Sequence, residues 1–205
     1  MATDLKKTLD AYQAKRGEFR IVTVPPMQYL MVDGAGDPNT SQTYADALTA
    51  LFPVAYGVKF ASRTQLSIDT VVMPLEGLWH AEDMASFTTH RDKSTWLWTM
   101  MIMVPEHVTV EMVDVARATA LGKKGASPLL DRVRLETVDE GLCVQTLHVG
   151  SYDDEAPLLD DLHHRFVPDN GLALRGVHHE IYLSDARRVS PEKLRTILRQ
   201  PVSRL

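Results

Sequence analysis

Near the C-terminal end the chain reads Val177-His178-His179-Glu180-Ile181-Tyr182-Leu183-Ser184-Asp185, which puts an acid, two imidazoles and a phenol in one short run. The run alternates. Val177, His179, Ile181 and Leu183 fall on one side of an extended chain, and His178, Glu180 and Tyr182 on the other. A carboxylate in mid-strand, two residues from a histidine and two from a tyrosine, has two readings. On a solvent face Glu180 is decoration. In an apolar pocket it is a lone acid held dry, suited to gripping a cation or directing a water as general base.

Other residue types extend or exclude this chemistry. Tyr56, Trp79, Trp96, Trp98, Tyr152 and Tyr182 are ordinary core material one by one. Trp79, Trp98 and Tyr56 are expected to line a ligand groove, since flat aromatic walls suit planar polycyclic compounds and cations. Tyr56 and Tyr182 are the hydroxyls expected to polarise a ligand carbonyl beside Glu180. The eight histidines include the adjacent pairs His163-His164 and His178-His179. Neighbours on a strand point apart and cannot chelate together, so no metal is expected. Gly150-Ser151-Tyr152-Asp153 lacks the second glycine of a nucleophile elbow. Gly34-Ala35-Gly36 lacks the helix-opening glycine of a dinucleotide loop, and no cofactor is expected. Cys143 reads as a buried strand residue.

Composition sets the limits. The 205 residues allow a real core, and 44% hydrophobic with 24% charged residues is ordinary for a globular chain. A net charge of −5 with scattered Lys and Arg argues against a nucleic-acid surface. A single cysteine excludes an internal disulfide and fits a reducing compartment. The first residues are charged, unlike a signal peptide, and no apolar run is long enough to span a bilayer. A cytoplasmic protein is expected.

The elements that must position these residues follow from pattern. Residues 1–16 suggest a short helix, and 27–32 a strand. A helix opens at Thr40 or Ser41 and carries Tyr44, Leu48, Leu51, Phe52, Ala55 and Tyr56 on one stripe, with Pro53 expected to kink or split it. Residues 66–73 look strand-like, 74–77 form a break, 78–80 resume an extended segment, and 83–93 form a polar loop. The unbroken apolar run 96–104 predicts a central strand buried on both faces. Thr109 caps a helix to about Leu121. Strands follow at 132–136 and 142–149, a helix at 155–167, the opening strand, and a last short helix from Ser190-Pro191-Glu192 to Leu198, ended by Pro201.

Laid side by side, the halves repeat an order. A strand, a glycine turn, a helix and further strands occur from about 20 to 122, and again from about 132 to 200. The chain is expected to be one α+β domain over 1–205. Its duplicated β-α-β-β units would form an antiparallel sheet with helices on one face and a central ligand groove.

Several motifs resemble one family. They are Met73-Pro74-Leu75-Glu76-Gly77-Leu78-Trp79, the run 96–103, His148-Val149-Gly150-Ser151-Tyr152-Asp153-Asp154-Glu155, and above all His178 to Asp185 with Arg187-Arg188 and Pro191-Glu192-Lys193-Leu194. Past about residue 17 the chain resembles the GyrI-like small-molecule-binding domains in their stand-alone form. The resemblance implies the duplicated fold and places Glu180 at the family's pocket glutamate. It implies two activities. Effector domains of multidrug-sensing regulators receive cationic drugs on an acid among aromatics, whereas members similar to cyclopropanoid hydrolases open a strained ring with water. The regulators carry a DNA-reading domain, for which the first 25 residues are too short. The expected partners are therefore small aromatic or amphipathic molecules, met by Glu180 and Tyr56 as catalytic groups and by Trp79, Trp98, Tyr152, His178 and Tyr182 as ligand contacts. No nucleic acid or membrane partner is expected. Hydrolysis and simple sequestration both want one carboxylate among aromatics, and both stay open.

Overall fold

A computed structural model describes residues 2–82 and 92–205. Most of the polar loop expected at 83–93 lies outside the described residues. The chain is α+β, with nine strands and three helices among the described residues, and every pairing with a resolved register is antiparallel. It divides into two compact units, one built from Met1–Thr8, Met27–Met73 and Trp79–Val138, the other from Leu9–Pro26, Pro74–Leu78 and Asp139–Leu205.

The first unit holds β2 (Met27–Ala35), α1 (Gln42–Leu66), β4 (Leu97–Val104), α2 (Val110–Leu121) and β5 (Arg134–Val138). Strand β4 forms as its composition predicts, and Met100 to Val104 are all buried. It pairs with β2, which pairs in turn with β5. Ser41 caps α1 through its hydroxyl, which accepts from the Tyr44 N–H at 3.3 Å. The helix runs unbroken through Pro53, so of the kink or split expected there the split does not occur. One backbone hydrogen bond is lost there, but Ala50, Leu51, Val54 and Ala55 are buried around it and hold the turn. Thr109 caps α2, accepting from Met112 N–H at 3.4 Å. Gly57 of α1 sits so close to α2 that an added Cβ would stand 2.7 Å from the Ala116 Cβ.

The second unit holds β1 (Arg20–Val24), β6 (Gly141–Val149), a helical segment, β7 (Leu172–Leu174), β8 (His178–Tyr182) and β9 (Arg195–Arg204). Strand β3 (Leu75–His80) carries the chain from this unit into the first between Leu78 and Trp79. The strand order here is β1-β6-β9-β8-β3, with β7 pairing β9 off that path. The helical segment, α3, begins at Ala156–Asp161, passes through a π turn at Leu162–Phe166 and ends at Val167–Asp169. It seals a core of Val144, Leu162, Val167, Leu172 and Val202, with Phe19 and Phe166 against it.

Four expectations fail. The N-terminal helix is instead two 3-10 turns, Leu5–Lys7 and Asp10–Tyr12. Residues 67–73 form no strand beyond an isolated bridge of Thr70 to Thr3. The break expected at 74–77 is mostly strand, because β3 starts at Leu75. The last helix is a single turn, Pro191–Lys193, followed by β9 with Pro201 inside it. Strand β9 lies between β6 and β8 and is buried from Thr196 to Val202, so it shows no alternation that would mark it as a strand.

Candidate functional site

Register assigns each side chain of the second unit to a face. Glu180 pairs with Leu198 and Leu198 with Thr146, while Tyr182 pairs with Thr196 and Thr196 with His148. These six residues therefore share one face of the sheet. His179 pairs with Arg199, and Arg199 with Gln145, in a row across the opposite face. The expected alternation holds within β8, where His179 and Ile181 are buried and His178, Glu180 and Tyr182 are half-buried, but Val177 and Leu183 lie outside the strand and are half-buried.

The His179 face is a closed charge network. Nδ1 of His179 lies 3.0 Å from Glu140 Oε1, and Nε2 lies 3.0 Å from Glu76 Oε2. Carboxylates only accept, so both ring nitrogens must carry protons, and His179 is an imidazolium. Arg199 Nη1 donates to Glu140 Oε2 at 2.6 Å and Nε to Gln145 Oε1 at 2.9 Å. Its Nη2 donates to the Ala11 carbonyl, and the Tyr12 hydroxyl donates to Glu76 Oε1 at 2.5 Å. Two cations thus balance two anions at positions that are almost wholly excluded from water. Burial would raise the Glu140 carboxyl, but His179 and then Arg199 outweigh it and hold it at about 2. Burial likewise opposes the His179 charge, and the two carboxylates overcome that and raise it.

A pH dependence follows. Glu140 contributes stability above its ordinary 4.5 and loses it as pH falls toward about 2. His179 contributes fully below its ordinary 6.5 and loses that contribution as pH rises through its higher folded value. Urea unfolding followed across pH should show a plateau between these limits and a fall on both sides. A stability that keeps rising above neutral pH would contradict the charged histidine.

The Glu180 face is different. Both ring nitrogens of His178 and the hydroxyls of Thr146 and Thr196 are buried with no hydrogen-bond partner. His178 Nε2 approaches Glu180 Oε1 no closer than 3.6 Å. The Tyr152 and Tyr182 rings meet edge to face at 5.6 Å. Burial, then the charges of Glu180, Glu155 and Asp185, push the Tyr152 hydroxyl up to about 12, so it stays protonated and able to donate. Across from the sheet, burial and the neighbouring His178 hold His163 of α3 down at about 4. The structure thus brings Glu180, His178, Tyr182 and Tyr152 together.

The remaining expected residues lie in the first unit. Trp98 is 1% exposed, and its ring covers Gly34, where an added Cβ would stand 2.0 Å from it. Its indole N–H donates to the Gly36 carbonyl at 3.2 Å. Tyr44 meets Trp98 edge-on at 5.3 Å and stacks on Trp79 at 6.4 Å. Trp79 and Trp98 thus both contact Tyr44 within that unit. Tyr56 stands half exposed on α1 and lines a groove between α1 and α2. The tyrosines beside Glu180 are Tyr152 and Tyr182.

Sequence reasoning missed Glu76, Glu140, His179 and Arg199 as one group. Glu76 sits in an otherwise apolar run, Met73 to Trp79, which is the one local signal of the group. Cys143 is buried, and burial pushes its thiol up to about 12. Among the described residues no three His, Cys, Asp or Glu side chains are grouped to hold a metal, and no helix is long and apolar enough to cross a membrane.

Solved structures resemble the whole chain. An uncharacterized conserved protein from Listeria innocua is 39% identical with a TM-score of 0.88, over 98% of this chain and 100% of that one. Two Listeria innocua proteins described as hydrolases are 38% and 36% identical, each with a TM-score of 0.85, over 99% and 98% of this chain and 100% of theirs. No curated protein matches the chain. The family profile of the GyrI-like small molecule binding domain matches residues 17–203, from ahead of β1 to the last residues of β9. With nearly all of the sequence matched, and β8 and its acid inside the match, the chain belongs to the GyrI-like small-molecule-binding family.

Proposed function

We propose that the Glu180 face of the second unit binds a flat aromatic or amphipathic molecule and adds water to a strained ring on it. The substrate class is the cyclopropane-bearing, electrophilic natural products. One observation carries this reading. On the same strand, the His179 face satisfies its polar groups internally, while the Glu180 face buries His178, Thr146 and Thr196 with no partner in the chain. Buried polar groups in folded proteins nearly always have partners, and at a binding site the ligand or ordered water supplies them.

The step balances as an addition of water. Glu180 takes a proton from a water molecule, whose oxygen bonds to the ring carbon as a ring C–C bond breaks. The electron pair moves through the conjugated system to the carbonyl oxygen, which the Tyr152 or Tyr182 hydroxyl polarises and which takes a proton from solvent. The proton on Glu180 returns to solvent. Relief of ring strain drives the reaction, so one base and one donor are sufficient. Two relatives described as hydrolases support a hydrolytic class. The test is incubation of the purified chain with a cyclopropane-bearing alkylating compound, followed by mass spectrometry. A product heavier by one water is expected, formed faster than in buffer. An unchanged substrate would defeat the catalytic reading.

A second reading has its own support. Glu180, Glu155 and Asp185 all act on the Tyr152 hydroxyl, so three carboxylates place a negative field over the same aromatic pair. That field suits a cation held without chemistry. Tight binding of a cationic dye with no turnover of any strained substrate would favour sequestration.

A further inference from the structure

Helices α1 and α2 carry an apolar surface that the proposed site does not use. Eleven large apolar side chains are exposed among the described residues, and three of them, Tyr56, Phe60 and Val115, line the space between these two helices. Tyr56 and Phe60 stack at 6.3 Å, and Val115 is 64% exposed. Between the helices runs a groove of about 680 Å³. Apolar side chains concentrated on one face mark an interaction site. The groove's ends are charged and opposite. Glu111 lies in the first turn of α2 and Lys123 just past its last turn, and both line the groove.

We infer that this face is the interface of a twofold dimer and that a second copy of the chain fills the groove. The argument is self-complementarity. A twofold interface sets one patch against itself, so every contact occurs twice. With the two α2 helices antiparallel, Val115 lies beside the partner's Thr119, and Glu111 beside the partner's Lys123. An apolar strip is then closed at each end by an opposite-charge pair, and the helix dipoles oppose as well. A parallel arrangement would set Glu111 against the partner's Glu111 and is disfavoured. A single small amphiphile would engage only one of the two charged ends.

The mass of the full chain in solution tests this, by sedimentation or light scattering across the micromolar range. Twice the 23.0 kDa of one chain is expected. Val115→Glu should give a monomer with unchanged circular dichroism, because the side chain it replaces is mostly in solvent. Glu111→Lys should weaken dimerisation by roughly tenfold, since it makes both end pairs repulsive, and adding Lys123→Glu should restore it. A monomeric wild type, or a dimer indifferent to Val115→Glu, would overturn the inference. So would a monomer whose groove takes up an apolar dye in a manner abolished by Val115→Glu, which would assign the groove to a small molecule.

Discussion

Arg199→Leu is expected to lower folding stability by about 3–5 kcal/mol, the range found when one partner of a buried ion pair is removed. The guanidinium is wholly excluded from water, and three of its contacts are to Glu140, Gln145 and the Ala11 carbonyl. Without it Glu140 keeps a charge at 4% side-chain exposure with only His179 to balance it, and the buried set carries one excess anion. Glu140 loses much of the field that holds it at about 2, so acid unfolding should also move to higher pH. Restoring neutrality should recover part of the loss. Glu140→Gln combined with Arg199→Leu should cost less than the sum of the two single changes, and the coupling read from a double-mutant cycle should exceed about 1 kcal/mol. Additive costs in urea unfolding would show that the pair does not act as a unit.

The network shows where reading a sequence succeeds and where it stops. Strand β8 was legible because its two faces differ, and α2 because Thr109 and the apolar spacing agree. The unbroken apolar run of β4 gave away a strand covered on both sides. Strand β9 was not legible for a related reason. It is buried on both faces too, but it contains Arg199, Gln200 and Pro201, and the preceding Ser190-Pro191-Glu192 looks like a helix start. At Pro53 the split does not occur, because burial of α1 outweighs one missing hydrogen bond. At the site, Glu180, His178 and Tyr182 could be grouped because they share one strand, and Tyr152 joined them through a motif. Glu76, Glu140 and Arg199 could not be grouped: Arg199 and Glu140 are 59 residues apart, and Glu76 and His179 are 103 apart. Only register and closure of the sheet bring them together, and no local period records that.

Glu180→Gln should reduce turnover of a strained-ring substrate by about 10²–10⁴-fold, the usual worth of a positioned general base. The change keeps shape and removes only the ability to take a proton. Glu180 is separate from the charge network on the other face of β8, so the thermal midpoint should move little. The loss should fall on kcat and leave KM for a neutral substrate nearly unchanged, because the aromatic pair still holds the ring system. Tyr152→Phe should act more mildly, by about tenfold to a hundredfold, since Tyr182 at 5.6 Å retains a second hydroxyl. The same variant separates the two readings of the site. If Glu180 serves only as a counter-charge, Glu180→Gln should weaken a cationic ligand and leave nothing catalytic to lose. If it directs water, a neutral strained ring should bind as before and stop reacting. Unchanged turnover in Glu180→Gln would remove the carboxylate from the chemistry, and the search for a base would pass to His178, whose ring nitrogens face the same side of the strand.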